Sequence, residues 1–320
     1  MRRRLFLAGT TAFALAAATG RDAESASVWT RLAGRPDGGL PVLVLPPAPR
    51  GPAPVIIFSH GLGGRPEGFT RLVTPWVGAG FLVLLPEHLD SLARGAPRRP
   101  SFAELKRYAL LRIGDITAVL TALPELAAKA GTRIEPARVG YGGHSFGAWT
   151  AAAIAGATVY VGPGRPRNFG DPRPLAFLLI AGPPVPPDAT PMHPFQGYAP
   201  DSFRGLTRPL MLIDGTHDGA PPGGPASYRE RLAAYALSPP GNKYLGLELD
   251  GTHMTTVGFA PARDAPLVAI ARRSLADMRA LSLPFWRGFV AGHAPSVAWL
   301  NGPAPSAIDP ENLTFERRLG

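Results

Sequence analysis

The sequence predicts a doubly wound α/β fold, in which a mostly parallel sheet carries helices on both faces. Short continuous apolar runs, such as those at 55–58 and 81–85, have the length of strands that are buried on both faces. Segments with a helical pattern alternate with these runs. Of the 320 residues, 45% are hydrophobic, which suffices for one large core. We therefore expect one domain over residues 27–320.

The predicted strands and helices mostly alternate along the chain. Strands are expected at 28–32, 40–45, 55–58, 81–85, 138–141, 175–180, 209–213 and 244–249, and helices at 69–78, 102–123, 148–156, about 226–236 and 266–290. The first two strands are expected to form an edge pair joined by a turn at 35–39. The polar residues Glu87, His88 and Asp90 follow a predicted strand, and we interpret them as loop polarity.

Residues 1–26 are expected to form a twin-arginine signal peptide and leader. Arg2, Arg3 and Arg4 precede an uncharged apolar run from Leu5 to about Ala18, which is too short to span a bilayer comfortably. Cleavage is expected after small residues at 16–18 or at 25–27. The predicted partner is the twin-arginine export machinery, and the predicted location is the periplasm or the exterior, without stable membrane insertion after cleavage.

The charge and composition exclude several function classes. The formal net charge is +10, but the basic residues are dispersed and accompany no nucleic-acid motif. The absence of cysteine excludes a thiolate nucleophile and a cysteine metal site. We find no H-E-x-x-H or comparable metal-ligand spacing, and the glycines at 61–64 do not make the G-x-G-x-x-G pattern. We therefore expect no metal and no cofactor.

The stretch Gly143-His144-Ser145-Phe146-Gly147 is the centre of the predicted chemistry. It follows an apolar strand and opens a segment of small residues typical of a helix buried against a sheet. In a G-x-S-x-G turn the serine lies on a strained elbow with its hydroxyl exposed. Ser145 is the predicted nucleophile.

A general base and an acid follow later strands. His253 comes after the strand at 244–249, and both Asp214 and Asp218 flank the turn after the strand at 209–213. A serine hydroxyl needs a histidine to accept its proton and a carboxylate to orient that histidine. We favour Asp218, which lies beyond the turn, over Asp214, and interpret His217 as a neighbour and not the base. The order Ser145, Asp218, His253 is that of a nucleophile-elbow hydrolase.

Two backbone N–H groups are expected to bind the oxyanion. One belongs to Phe146, directly after the nucleophile, and the other to Leu62 in the Gly-rich loop after the strand at 55–58, with Gly63 as the alternative.

The chain resembles the α/β-hydrolase superfamily, and within it the dienelactone-hydrolase-like and platelet-activating-factor-acetylhydrolase-like branch. The resemblance rests on the stretches 59–64, 143–147, 209–218 and 251–253. It implies an eight-stranded sheet, a Ser-His-Asp triad and ester hydrolysis without a cofactor. Dienelactone hydrolases proper use a cysteine nucleophile, so that substrate is not implied, and exported polyester hydrolases commonly carry a disulfide that this chain cannot form.

The leading hypothesis is an exported serine esterase that acts on small carboxylic esters through an acyl-enzyme. The alternatives are an acyltransferase or a polyester or lipid hydrolase on the same scaffold, or a non-catalytic binding protein. We further expect the loops at 158–174 and 182–203 to set the substrate range. Neither has a long helical pattern that could form a lid, so a short acyl group is expected.

Overall fold

The computed structural model describes residues 27–33, 38–48, 51–161, 166–186, 197–219 and 228–320. The predicted signal peptide and the predicted turn at 35–39 lie largely outside these residues. In the described part of the chain, the strands are β1 (Val28–Leu32), β2 (Leu40–Leu45), β3 (Ala53–Ser59), β4 (Leu82–Pro86), β5 (Ile134–His144), β6 (Thr158–Val159), β7 (Arg167–Asn168), β8 (Pro174–Ile180), β9 (Leu210–Gly215), β10 (Lys243–Glu248) and β11 (Leu313–Arg318).

The helices alternate with these strands. They are α1 (Thr70–Gly78), α2 (Phe102–Thr121), α3 (Leu123–Lys129), α4 (Phe146–Ala155), α5 (Tyr228–Arg231), α6 (Ala233–Ala236), α7 (Ala265–Phe289) and α8 (Ala294–Asn301). The helix predicted at 226–236 is two short helices, and its first two residues lie outside the described part. None of the helices that the structure describes combines the length and apolarity needed to cross a bilayer.

The main sheet has the strand order β1-β2-β4-β3-β5-β8-β9-β10-β11 over the described residues. Its centre, from β4 to β10, is parallel, whereas β1, β2 and β11 pair antiparallel at the two edges. The sheet thus has nine strands, and the expected eight was wrong. The additional strand β11 follows α8, in a stretch where only Leu313 and Phe315 are apolar and three consecutive charged residues follow them at 316–318.

Two hydrophobic cores cover the two faces of this sheet. Along β3, Val55 and Ile57 pack into one core, and Ile56 and Phe58 pack into the other, because successive side chains point to opposite faces. Helices α2, α3, α4 and α6 contribute to the first core, and α1, α7 and α8 to the second. This burial on both faces explains the continuous apolar runs in the sequence, and the predicted doubly wound fold is confirmed.

The register of the parallel strands brings the functional loops together. Ser59 at the end of β3 pairs with Gly143 of β5, and Gly215 at the end of β9 pairs with Glu248 of β10. The loops that follow these strands therefore emerge at the same, carboxyl edge of the sheet, where open α/β sheets bind ligands.

Candidate active site

Ser145 occupies a strained turn between β5 and α4. Its backbone has φ 56° and ψ −113°, a combination that residues other than glycine rarely adopt. The turn also needs glycine on either side: a Cβ on Gly147 would lie 2.1 Å from the carbonyl oxygen of Ser59, and one on Gly143 would lie 2.4 Å from the carbonyl carbon of Gly147. The backbones approach so closely that only this sequence pattern fits the elbow.

The structure brings the predicted serine, histidine and Asp218 into one hydrogen-bonded chain. Nε2 of His253 lies 2.8 Å from Oγ of Ser145, and Nδ1 of His253 lies 2.8 Å from Oδ2 of Asp218. A carboxylate accepts a hydrogen bond, so Nδ1 carries the proton and Nε2 is free to accept one from the serine. Asp218 is 1% exposed, whereas one third of the His253 side chain is exposed.

Asp214, the alternative acid, has a different environment. It is fully buried at the end of β9, and its Oδ1 accepts the N–H of Gly215 at 2.8 Å. Burial, and then the neighbouring charge of Asp218, raise the pKa of Asp214 well above its usual value. The raised pKa favours the protonated form of Asp214, which can donate a hydrogen bond to Asp218. The structure places Asp218, and not Asp214, against His253.

Arg231 of α5 lies beside Asp218, and sequence reasoning missed it. Its Nε lies 2.9 Å from Oδ1 of Asp218, and the guanidinium also donates to the backbone carbonyls of Asp218 and Gly182. These contacts hold the loop after β9 in place and set the carboxylate opposite His253. No local motif marks Arg231, because it comes from a separate helix.

His144, the second residue of the elbow motif, was also missed. Burial, and then the nearby positive charge that His253 can carry, lower the pKa of His144 to about 3. The neutral ring lies 2.9 Å from the carbonyl oxygen of His253 through Nε2, so Nε2 carries the proton and donates. His144 thus ties the histidine loop to the elbow. His217 is exposed, 3.5 Å from Asp250, and lies outside this chain of contacts.

The two residues predicted to bind an oxyanion both line the cavity in front of Ser145. Phe146 is the first residue of α4, so its N–H has no acceptor within the helix. Leu62 lies on the loop after β3, and its N–H donates to no backbone carbonyl among the residues that the structure describes. The alternative donor, Gly63, lies next to Leu92. The carbonyl of Gly63 accepts a hydrogen bond from the N–H of Leu92.

The cavity has a volume of about 920 Å³ and is open to Ser145 and His253. Its apolar lining includes Phe69, Phe146, Trp149, Met254 and Phe259. This size and character are typical of sites for small molecules.

The loops predicted to set the substrate range contribute less to this cavity than expected. The loop at 182–203 contributes Pro183 and Pro184, but the described residues of 158–174 do not line the cavity. Tyr198 and Phe203 are buried in the core instead, and Phe195 lies outside the described residues. The aromatic lining comes from the elements around α1, α4 and the histidine loop.

A second Ser-His-Asp arrangement lies inside the protein. Oγ of Ser59 lies 2.9 Å from Nε2 of His88 and 3.0 Å from the hydroxyl of Tyr141, and Nδ1 of His88 lies 2.8 Å from Oδ2 of Asp115. Ser59, His88 and Asp115 are each 0% exposed. His88 and Asp90 lie in a loop, as predicted, but loop polarity does not account for them: both are buried and hydrogen-bonded beneath the loop that carries Leu62.

No cluster of three or more His, Asp or Glu residues within the described ranges has the geometry of a metal site. The arrangement at Ser145 brings together the kinds of group that acyl transfer uses: a hydroxyl, a histidine that can accept its proton, and nearby backbone N–H groups.

Three solved structures are similar to this chain over most of its length. A 2,6-dihydroxy-pseudo-oxynicotine hydrolase is 18% identical, with a TM-score of 0.54, covering 83% of this chain and 69% of its own. A ferulic acid esterase from Streptomyces cinnamoneus is 17% identical, with a TM-score of 0.59, covering 91% and 95%. An esterase from Thermogutta terrifontis with bound propionate is 15% identical, with a TM-score of 0.56, covering 83% and 96%.

The fold is that of the α/β-hydrolases. No protein-family model and no curated protein sequence matches the chain. At identities of 14–18% the similarity shows the fold alone. Any inference about chemistry must therefore come from the side chains of this α/β-hydrolase-fold protein.

Proposed function

We propose that the protein is a serine esterase that hydrolyses carboxylic esters through an acyl-enzyme on Ser145. The observation that carries this proposal is the continuous chain from Ser145 through His253 to Asp218, which opens on an apolar cavity. Two structurally similar proteins are named esterases, and one further structure of the Thermogutta enzyme is described as phosphorylated by paraoxon. Phosphorylation of that kind is the reaction of an activated hydroxyl, which supports the proposal.

The proposed reaction has two halves that use the same groups. Oγ of Ser145 attacks the ester carbonyl carbon as Nε2 of His253 takes its proton, and the N–H groups of Leu62 and Phe146 bind the resulting oxyanion. Collapse of the tetrahedral intermediate breaks the bond to the alcohol, which leaves with the proton from His253. Water then attacks the acyl-enzyme, gives its proton to His253, and releases the acid as the proton returns to Ser145.

The test is hydrolysis of p-nitrophenyl acetate, with the acyl-enzyme trapped by acid quench and located by mass spectrometry of peptides. We expect the acetyl group on the peptide that contains Ser145, and loss of both turnover and adduct in Ser145→Ala. Turnover that survives in Ser145→Ala would refute the proposal.

We propose that the preferred acyl group is short. Apart from the first residue of β8, the described residues of 158–174 and 182–203 hold only two two-residue strands and part of a 3₁₀ helix, and so provide no α-helical lid. Each buried methylene contributes about 0.8 kcal/mol, so kcat/KM should change gradually along a series from acetyl to palmitoyl esters. A maximum at long chains, or a jump in rate above the solubility limit, would contradict it. The aromatic lining makes methyl ferulate a useful addition to the series.

We also propose that the protein is exported through the twin-arginine route, to the periplasm or the exterior. The support is the sequence of residues 1–18, in which three arginines precede an uncharged apolar run. Replacing Arg3 and Arg4 by lysine should trap active precursor in the cytoplasm, as measured by esterase activity in cell fractions. Unchanged export of this variant would point to the general secretion route.

A further inference from the structure

Arg112 of α2 is a buried charge that the proposed chemistry does not use. It is 1% exposed, and its Nε and Nη2 donate to the two carboxylate oxygens of Asp90 at 2.8 and 2.7 Å. Burial alone would raise the pKa of Asp90, but the charge and hydrogen bonds of Arg112 lower it to about 2. The pair is therefore ionised, and this carboxylate fixes the direction of the guanidinium fork.

The rest of the guanidinium holds the loop that carries Leu62. Nη1 donates to the carbonyl of His60 at 2.7 Å, and Nη2 donates to the carbonyl of Gly61 at 3.1 Å. The Gly61 carbonyl also accepts from Nδ1 of His60 at 2.7 Å and from the N–H of Gly64 at 3.0 Å. Three donors thus fix the orientation of the peptide group between Gly61 and Leu62.

The orientation of that peptide determines where the N–H of Leu62 points. In a planar trans peptide the carbonyl and the following N–H point in opposite directions. The Gly61 carbonyl faces the buried guanidinium, so the N–H of Leu62 faces away from it. Gly61 and Leu62 line the cavity and Arg112 does not, and a Cβ on Gly61 would lie 3.2 Å from Cβ of Ser145. The N–H of Leu62 is therefore directed to the side on which the oxyanion would form.

The same guanidinium contacts the residue that holds the second donor. Its central carbon lies 4.6 Å from the ring centroid of Phe146, a cation–π contact. One buried side chain thus touches both halves of the predicted oxyanion site, which come from the loop after β3 and from the start of α4.

We propose that Arg112 is a positioning residue that orients the N–H of Leu62 for oxyanion binding and holds its loop against Phe146, whose N–H is the second donor. This inference rests on the proposed esterase function. A side chain that orients the donors for the oxyanion acts on the transition state and not on the bound ester. Its loss should therefore lower kcat with little change in KM.

The experiment compares Arg112→Lys and the neutral double variant Arg112→Gln/Asp90→Asn with the wild type. The lysine keeps a charge opposite Asp90 but loses the fork, and the double variant avoids leaving Asp90 buried without a partner. For each protein, kcat and KM are measured at a temperature where unfolding curves show it fully folded. Affinity for a phenylboronic acid, which forms a tetrahedral anionic adduct with an activated serine, is measured alongside.

The chain offers a matched control in Arg208. Its guanidinium also donates to backbone carbonyls, those of Asp171, Pro174, Ile154 and Ala155. The central carbon of the guanidinium lies 4.7 Å from the ring centroid of Phe177. None of these residues lines the cavity. Arg208→Lys therefore removes a similar set of contacts away from the chemistry. It should lower the melting temperature without a selective change in kcat or in boronate affinity.

We expect both Arg112 variants to lose about 10²-fold in kcat, with KM within about threefold, and to lose boronate affinity by a similar factor. Loss of kcat without loss of boronate affinity, or equal losses in the Arg208 control, would overturn the inference. Wild-type protein that hydrolyses no ester and binds no boronate would instead overturn the proposed function. If every variant folds and retains wild-type kcat, Arg112 has only a structural role.

Discussion

The protein contains two Ser-His-Asp arrangements with nearly the same distances and very different surroundings. In the first, which we call the open arrangement, Ser145, His253 and Asp218 are joined by two contacts of 2.8 Å. In the second, the closed arrangement, Ser59, His88 and Asp115 are joined by contacts of 2.9 and 2.8 Å. Hydrogen-bond distance alone therefore does not distinguish a nucleophile from a buried network.

The difference lies in the backbone and in access. Ser145 has a φ of 56° and faces a cavity, whereas Ser59 is the last residue of a regular strand and its hydroxyl also contacts Tyr141. A substrate carbonyl can approach Oγ of Ser145 next to the N–H groups of Leu62, on the loop after β3, and of Phe146, the first residue of α4. The closed arrangement is fully buried and its serine is already held by His88 and Tyr141, so it satisfies buried polar groups instead.

The largest expected effect separates the two carboxylates. Asp218→Asn should lower kcat by about 10⁴-fold, because an amide cannot hold the required tautomer of His253. Asp115→Asn makes the same change in the closed arrangement and should leave kcat within about tenfold of the wild type. Steady-state hydrolysis of p-nitrophenyl acetate measures both. Similar losses in the two variants would erase the functional distinction between the arrangements.

Substitutions at the two serines should change the free energy of unfolding in opposite directions. Ser59→Ala removes the hydroxyl that contacts both His88 and Tyr141 in the core, which should cost about 1–3 kcal/mol of unfolding free energy. Ser145→Gly relieves a positive φ and should raise the unfolding free energy by about 1 kcal/mol. Urea unfolding curves give both values. Destabilisation of Ser145→Gly would show that the elbow stores no strain.

The smallest expected effect concerns Asp214, the buried acid next to Asp218. Because the pKa of Asp214 is raised above its ordinary value of 3.8, the folded state binds the proton more tightly than the unfolded state. Its contribution to stability is complete below about pH 3.8 and is lost as the pH rises through the raised pKa. Between pH 6 and 7 this loss is at most about 1.4 kcal/mol.

Asp214→Asn keeps a neutral donor towards Asp218, so it should flatten this pH dependence while kcat stays within about tenfold. The control is Asp250→Asn, an exposed position with φ 61° that asparagine tolerates. Melting temperatures are measured from pH 5 to 9 for each protein. If the melting temperature of Asp214→Asn changes with pH as steeply as that of the wild type, Asp214 is ionised in the folded protein and the account is contradicted.

Sequence reasoning located the features of the fold that depend on local patterns. The elbow at Ser145 needs two glycines within a five-residue stretch, and the predicted strands are continuous apolar runs, so both are visible without a structure. Arg112 and Arg231 were not, because each lies on a helix and reaches the site only through tertiary contacts. His88 and Asp90 were misinterpreted for the same reason, since their burial depends on α2 packing over the loop after β4.

The central claim is that the open arrangement alone activates a serine, and covalent labelling tests it most directly. Wild-type protein, Ser59→Ala and Ser145→Ala are treated with a fluorophosphonate, digested, and mapped by mass spectrometry. We expect one phosphonyl group on the peptide that contains Ser145 in wild type and in Ser59→Ala, and none in Ser145→Ala. Labelling of the Ser59 peptide, or labelling that persists in Ser145→Ala, would contradict this account.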